Sequence, residues 1–127
     1  MSATLNKYNV IHVSNEVLER ISKKGEGHSY TVDMDLFYED HIPVVAYLIL
    51  KGSGKLVKKR RKDIPLGPGD LIGFLELMGH TPSIYGAQIS HDSEVVFLDR
   101  STVLEILEEE SDQDLRSILS ALLKKVS

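Results

Sequence analysis

The sequence predicts a mainly β fold with flanking helices: a small antiparallel β-roll with one helix before it and two after it. Three observations carry this. Tyr30, Val32, Met34 and Leu36 alternate with Thr31, Asp33 and Asp35, the period of a half-buried strand. Short β-rich runs then follow at close spacing, punctuated by Lys51-Gly52-Ser53-Gly54 and Leu66-Gly67-Pro68-Gly69-Asp70, where proline presets φ and glycine tolerates positive φ. Finally Leu115, Ile118, Leu119, Leu122, Leu123 and Val126 recur at the spacing of an amphipathic helix.

Each element has a local reason. Val13, Val17, Leu18 and Ile21 lie at helical spacing, with Ser14 to cap the start and Lys23-Lys24-Gly25 to end it. This places a helix at about 14–24. The roll covers about 30–98, with strands at Val44–Leu50, Lys55–Ile64 (strand, charged tip and returning strand), Leu71–Leu77, Tyr85–Ile89 and Glu94–Leu98. Asp99 or Ser101 caps a helix at about 100–110. Ser111, with Asp114 three residues on, resembles a capping box for the last helix, at about 112–126. With 127 residues and no repeat or long linker, the chain is expected to form one domain, residues 1–127.

Composition excludes several classes. The 42% hydrophobic and 27% charged residues are those of a globular protein and not of a disordered chain. With no cysteine there is no disulfide framework, thiolate metal site or thiol nucleophile, which fits a reducing compartment. Runs such as Pro43–Ala46 and Leu48–Leu50 are too short to cross a bilayer, and the N-terminus lacks a signal peptide's apolar stretch. A cytoplasmic location is expected. His12, His28, His41, His80 and His91 include no pair at metal-ligand spacing, so no metal and no cofactor is expected. Ser83, Ser90 and Ser101 are not set in a nucleophile elbow, and Glu76 has no partner carboxylate, so the chain reads as non-catalytic.

Charge is unevenly placed on a net −4 chain. Residues 51–63 hold seven cations against one acid, a local +6, so the remainder carries −10. Lys58, Lys59, Arg60, Arg61 and Lys62 are consecutive. Such a run is either a solvated turn or a surface that steers an acidic partner. No aromatic residue interleaves it, which argues against stacking on single-stranded nucleic acid. An acidic protein is the partner expected there.

Tyr47–Gly54 followed by Leu66–Gly73 resembles the cyclic-nucleotide-binding domain family, with its Tyr-x-Ile-x-x-Gly strand end, hairpin and Gly-Asp-x-(Phe/Ile)-Gly turn. Glu94–Arg100 is similar to that family's last strand running into its penultimate helix, and the resemblance spans about Val13 to Val126. It implies a catabolite-activator-like (cupin-like) β-roll used in bacterial-type signalling, and a last helix able to pair with its copy in a homodimer. It also implies a site. The family's Gly-Glu-x-(Ala/Gly)-Leu segment grips the ribose, and a later Arg-(Ser/Thr)-Ala segment neutralises the cyclic phosphate. Here the first segment reads Gly73-Phe74-Leu75-Glu76-Leu77, with Phe74 at the ribose-glutamate position. The Arg and hydroxyl positions fall at Ser83 and Ile84, next to Tyr85, and no Arg or Lys occurs between Leu71 and Phe97. Asp40-His41 replaces a further Gly-Asp. The resemblance therefore implies a ligand pocket at Gly73–Leu77 and Ser83–Tyr85 with a degenerate cassette. The family's appended DNA-binding helices would lie beyond this sequence, so no DNA-binding domain is expected in it.

The expected function is thus a regulatory or adaptor module acting through protein contacts, without binding cAMP or cGMP in the family manner. The alternative is a small-ligand sensor with altered binding chemistry.

Overall fold

Two stacked sheets organise the chain, and the strand Ala46–Lys51 (β5) lies in the interior of one of them. The computed structural model describes residues 1–126. β5 is apolar at consecutive positions because both of its faces are covered: Ala46 and Leu48 meet the helices, while Tyr47 and Ile49 face the second sheet. Ser93–Leu98 (β10) repeats this, with Val96 and Leu98 on one side and Val95 and Phe97 on the other.

The remaining strands, in chain order, are Ala3–Leu5 (β1), Ile11–Val13 (β2), Glu26–Tyr30 (β3), Met34–Phe37 (β4), Gly54–Val57 (β6), Ile64–Leu66 (β7), Asp70–Ile72 (β8) and Gly86–Ile89 (β9). Six form one antiparallel sheet in the order β1-β2-β8-β5-β10-β3, and four form the other, β4-β9-β6-β7. Helices Asn15–Ser22 (α1), Phe74–Gly79 (α2), Arg100–Glu109 (α3) and Gln113–Val126 (α4) cover the outer face of the six-stranded sheet. The fold is the expected β-roll with flanking helices.

Several local expectations change. Leu71–Leu77 is not one strand: β8 stops at Ile72, Gly73 turns the chain at φ 80°, and α2 begins. Positive φ is open to glycine without a Cβ penalty. Beyond it Phe74, Leu77 and Met78 follow the helical i, i+3, i+4 spacing and are buried. The alternation at Tyr30–Leu36 is divided between β3 in one sheet and β4 in the other, so Val32 and Met34 are exposed at 59% and 47%. β1 and β2 precede α1 and had no signal strong enough to mark them; each has three residues.

Caps follow the sequence with one correction. Ser14 accepts from the Val17 N–H at 3.4 Å, and Asp99 from the Thr102 N–H at 2.8 Å. α4 is capped by Asp112, whose Oδ2 accepts from the Leu115 N–H at 3.0 Å, and not by Ser111. The same oxygen accepts from the Ser2 hydroxyl at 2.7 Å, which ties the N-terminus to α4. Gly25 is required by closeness: a Cβ there would lie 2.5 Å from the Phe97 carbonyl oxygen. In α4, Leu115, Leu119 and Leu122 are buried within the chain. Ile118, Leu123 and Val126 are half-buried at the core margin, and Arg116, Ser117, Ser120 and Ala121 are exposed.

Candidate functional site

Between the sheets, a cavity of about 280 Å³ opens to solvent. Its walls come from four places: the β1–β2 turn (Lys7, Tyr8, Asn9, Val10), the sheet interior (Phe37, Leu56, Ile72), the start of α2 (Gly73, Glu76), and the segment before β9 (Ser83, Ile84, Tyr85). The β1–β2 turn is shaped by Asn6, whose Oδ1 accepts from the Tyr8 and Val10 N–H groups at 2.9 and 3.0 Å. Asn9 adopts φ 62°, which asparagine tolerates better than most residues.

Of the eight pocket residues expected from sequence, Gly73, Glu76, Ser83, Ile84 and Tyr85 line this cavity and Phe74, Leu75 and Leu77 do not. Helical geometry is the reason. Phe74 and Leu77 belong to the stripe turned toward the helical core, where Phe74 is 1% exposed and Leu75 packs at its margin. Glu76 falls on the opposite face and enters the cavity. Burial pushes its carboxyl up from the usual carboxylate range.

The segment before β9 has little polar capacity to spare. Ser83 is buried, and its hydroxyl donates to the Tyr85 carbonyl at 2.6 Å. Its backbone is paired on both sides, with the His41 carbonyl at 2.9 Å and the Asp40 N–H at 2.8 Å. The only cation on the cavity wall is Lys7, whose Nζ lies 5.2 Å from the Tyr8 ring centroid. Tyr8 and Tyr85 meet edge to face at 5.8 Å.

The basic run forms the tip between β6 and β7, as expected, with Arg60 at φ 64°. Lys58 is half-buried and the next four residues are exposed. Lys58 Nζ donates to the Ile84 carbonyl at 3.4 Å and lies 5.7 Å from the Tyr85 ring centroid. A shallow groove of about 540 Å³ lined by Arg61, Lys62, Asp63, Ile64 and Pro65 shares Lys7, Tyr8 and Tyr85 with the cavity. The tip and the cavity mouth are therefore continuous. Sequence reasoning missed Lys7, Tyr8 and the wall residues from distant strands; the asparagines flanking Lys7-Tyr8 mark a turn but not its neighbours in space.

The histidines are dispersed. His12 pairs with Asp70 at 2.9 Å, His91 with Asp33 at 3.0 Å, and His28 stacks on Phe97 at 3.9 Å. His41 meets Tyr38 edge-on, and His80 ends α2 at φ 52°. Among the described residues no three His, Asp or Glu side chains are grouped to hold a metal ion. No helix among them is long and apolar enough to cross a membrane.

The molecule is thus a β-roll with an open cavity between its sheets, walled on one side by the start of a short helix. The family model described as Cyclic nucleotide-binding domain matches residues 28–110, and the chain belongs to that family. Among solved structures, the chain is similar to a protein of a cyclic-GMP-dependent signalling pathway that regulates bacterial phytopathogenesis. That match has a TM-score of 0.72 and 20% identity, over 90% of each chain. It is similar to the catabolite activator protein of Thermus thermophilus, with a TM-score of 0.63 and 20% identity over 88% of this chain and 52% of that one. A cyclic nucleotide-binding-like protein of Brucella abortus matches with a TM-score of 0.59 and 30% identity, over 76% of this chain and 86% of that one. No curated protein matches the chain.

Proposed function

We propose that this chain is a non-catalytic regulatory module that does not hold cAMP or cGMP in the family manner and acts by docking an acidic protein at its β6–β7 tip. The observation that carries the reading is the charge of the cavity: a half-buried carboxyl, Glu76, the single ammonium of Lys7, and no guanidinium among the lining residues. A cyclic phosphate placed beside Ser83 and Ile84 finds a hydroxyl already spent on Tyr85, and loses the bidentate cation that repays desolvation. A charge-assisted contact is worth about 1.5–3 kcal/mol net, so losing the ribose and phosphate contacts weakens binding by roughly two to four powers of ten. Calorimetric titration with cAMP and with cGMP is expected to show no heat of binding at micromolar concentration; a micromolar or tighter isotherm for either overturns this.

Support for the docking half comes from the tip, where exposed cations repel one another without neutralising partners for Arg60, Arg61 or Lys62 among the described ion pairs. A second reading is a small-molecule sensor, favoured by the cavity itself, whose 280 Å³ is close to the lower end of ligand pockets. A heat of binding for some uncharged or cationic small molecule, abolished by filling the cavity with Ser83→Trp, would favour it.

A further inference from the structure

The cavity and the basic tip form one composite surface. Glu76 stands half-buried on the cavity wall, a hydrogen-bond acceptor without an ion-pair partner among the described residues. The rest of the wall is largely aromatic and apolar, with Phe37, Leu56 and Ile72 buried, the edge-to-face pair of Tyr8 and Tyr85 half-buried, and Ile84 62% exposed at the mouth. The outer rim is cationic, because the groove holding Arg61 and Lys62 shares both tyrosines with the cavity. One acceptor, an aromatic and apolar wall and a cationic rim thus belong to one surface.

We infer that the occupant is an acidic linear segment of a partner protein carrying one tryptophan or tyrosine, whose ring fills the cavity and whose flanking acids lie across Arg61 and Lys62. Resting on the proposed docking function, this adds the anchor and its chemistry. Each part of the surface selects one part of the segment. A ring N–H or O–H donates to Glu76, where a purely apolar side chain would leave the carboxyl desolvated and unpaired. The ring body buries against Tyr8, Tyr85 and Ile84; aromatic anchors in pockets are the usual hot spots of interfaces. Carboxylates on either side of the anchor meet the rim, where exposed cations set the association rate and its salt dependence.

The test is fluorescence anisotropy of the full chain with a labelled seven-residue peptide that has three acidic residues on each side of a tryptophan. Tryptophan to alanine in the peptide is expected to weaken binding by about thirtyfold, the scale of one hot spot. Phenylalanine, which keeps the ring and lacks the donor, should fall between, and tyrosine should stay near the parent. On the protein side, Ile84→Asp at the exposed mouth should act like the loss of the ring. Arg61→Glu with Lys62→Glu should reduce affinity and flatten its dependence on salt. If the alanine peptide binds as well as the parent while the charge reversal still weakens both, the anchor is wrong and acidic docking stands. If the charge reversal changes nothing, acidic docking at the tip is wrong as well. Equal binding of the tryptophan and phenylalanine peptides would remove Glu76 from the site.

Discussion

The two faces of the six-stranded sheet share strands and differ in almost everything else. Toward the helices, Leu48, Leu71, Val96 and Leu98 meet Val17, Ile21, Phe74, Leu115 and Leu119 in an all-apolar core. Toward the second sheet, Ile49, Ile72 and Val95 share their space with Tyr47, Tyr8 and Tyr85 and with an open cavity. One face is filled but for a void of about 10 Å³ beside Leu71, Phe74 and Leu119; the other keeps a larger open space with polar groups on its wall. α2 shows the difference within one turn of chain. Phe74 is packed in the core and Glu76, two residues on, lines the cavity.

The largest test of this contrast truncates one leucine in the helix-side core and one in the layer between the sheets. Leu48→Ala, in the filled core, should cost about 3–5 kcal/mol, whereas Leu56→Ala, on the cavity wall, should cost about 2 kcal/mol because its surroundings can relax into existing space. Urea unfolding measures both. A larger loss for Leu56→Ala would break the contrast.

Next in size is the ion pair that fastens α1 to the end of α3. Arg20 Nε donates to Glu110 Oε1 at 3.0 Å, and the Glu110 side chain is 1% exposed. Burial pushes the Glu110 carboxyl up, but hydrogen bonds from Arg20 and from the Asp112 N–H outweigh it and hold it below the usual range. A carboxyl depressed on folding contributes stability above its unfolded pKa, and loses it as pH falls through its folded pKa. Glu110→Gln should therefore lower stability at pH 7 by about 1–3 kcal/mol. The difference from the parent should shrink as pH falls below the ordinary glutamate range. A difference that stays constant with pH would detach the effect from ionisation.

Glu76 should behave with the opposite sign. Its carboxyl is raised by burial, so the folded state is penalised at neutral pH and relieved in acid. Glu76→Gln should raise the thermal midpoint at pH 7 by a small gain, below about 1 kcal/mol, that disappears as pH falls through the carboxylate range. A gain that persists in acid would mean that packing and not charge is responsible.

The smallest effect on stability belongs to the tip. Lys59, Arg60 and Arg61 are exposed and reversing all three to glutamate should leave unfolding within about 0.5 kcal/mol of the parent. Any change should be in association with acidic partners. A destabilised triple variant would place the tip within the cooperative structure.

Much of this architecture was legible in the sequence because it rests on neighbours along the chain. Val17, Leu18 and Ile21 in α1, and Leu115, Leu119 and Leu122 in α4, announce buried helix faces by their spacing. The unbroken apolar run of β5 fits a strand covered on both sides, and the consecutive cations at Lys58–Lys62 mark an exposed tip. The missing guanidinium of the cassette was equally plain, since no cation occurs between Leu71 and Phe97.

Other features depended on contacts that spacing does not encode. A β reading of Leu71–Leu77 is natural for an apolar run of this length, and only the core waiting for Phe74, Leu77 and Met78 makes a helix the better solution after Gly73. That helix exchanges the roles of two residues, sending Phe74 into the core and Glu76 into the cavity. Lys7 and Tyr8 reach the site through the pairing of β2 with β8, some sixty positions away in sequence. Sequence by itself determined which residues are apolar, charged or able to turn, because these are properties of side chains and their near neighbours. The tertiary structure alone decided which of them share the cavity, because long-range strand pairing and the competition for burial set the direction in which each side chain points.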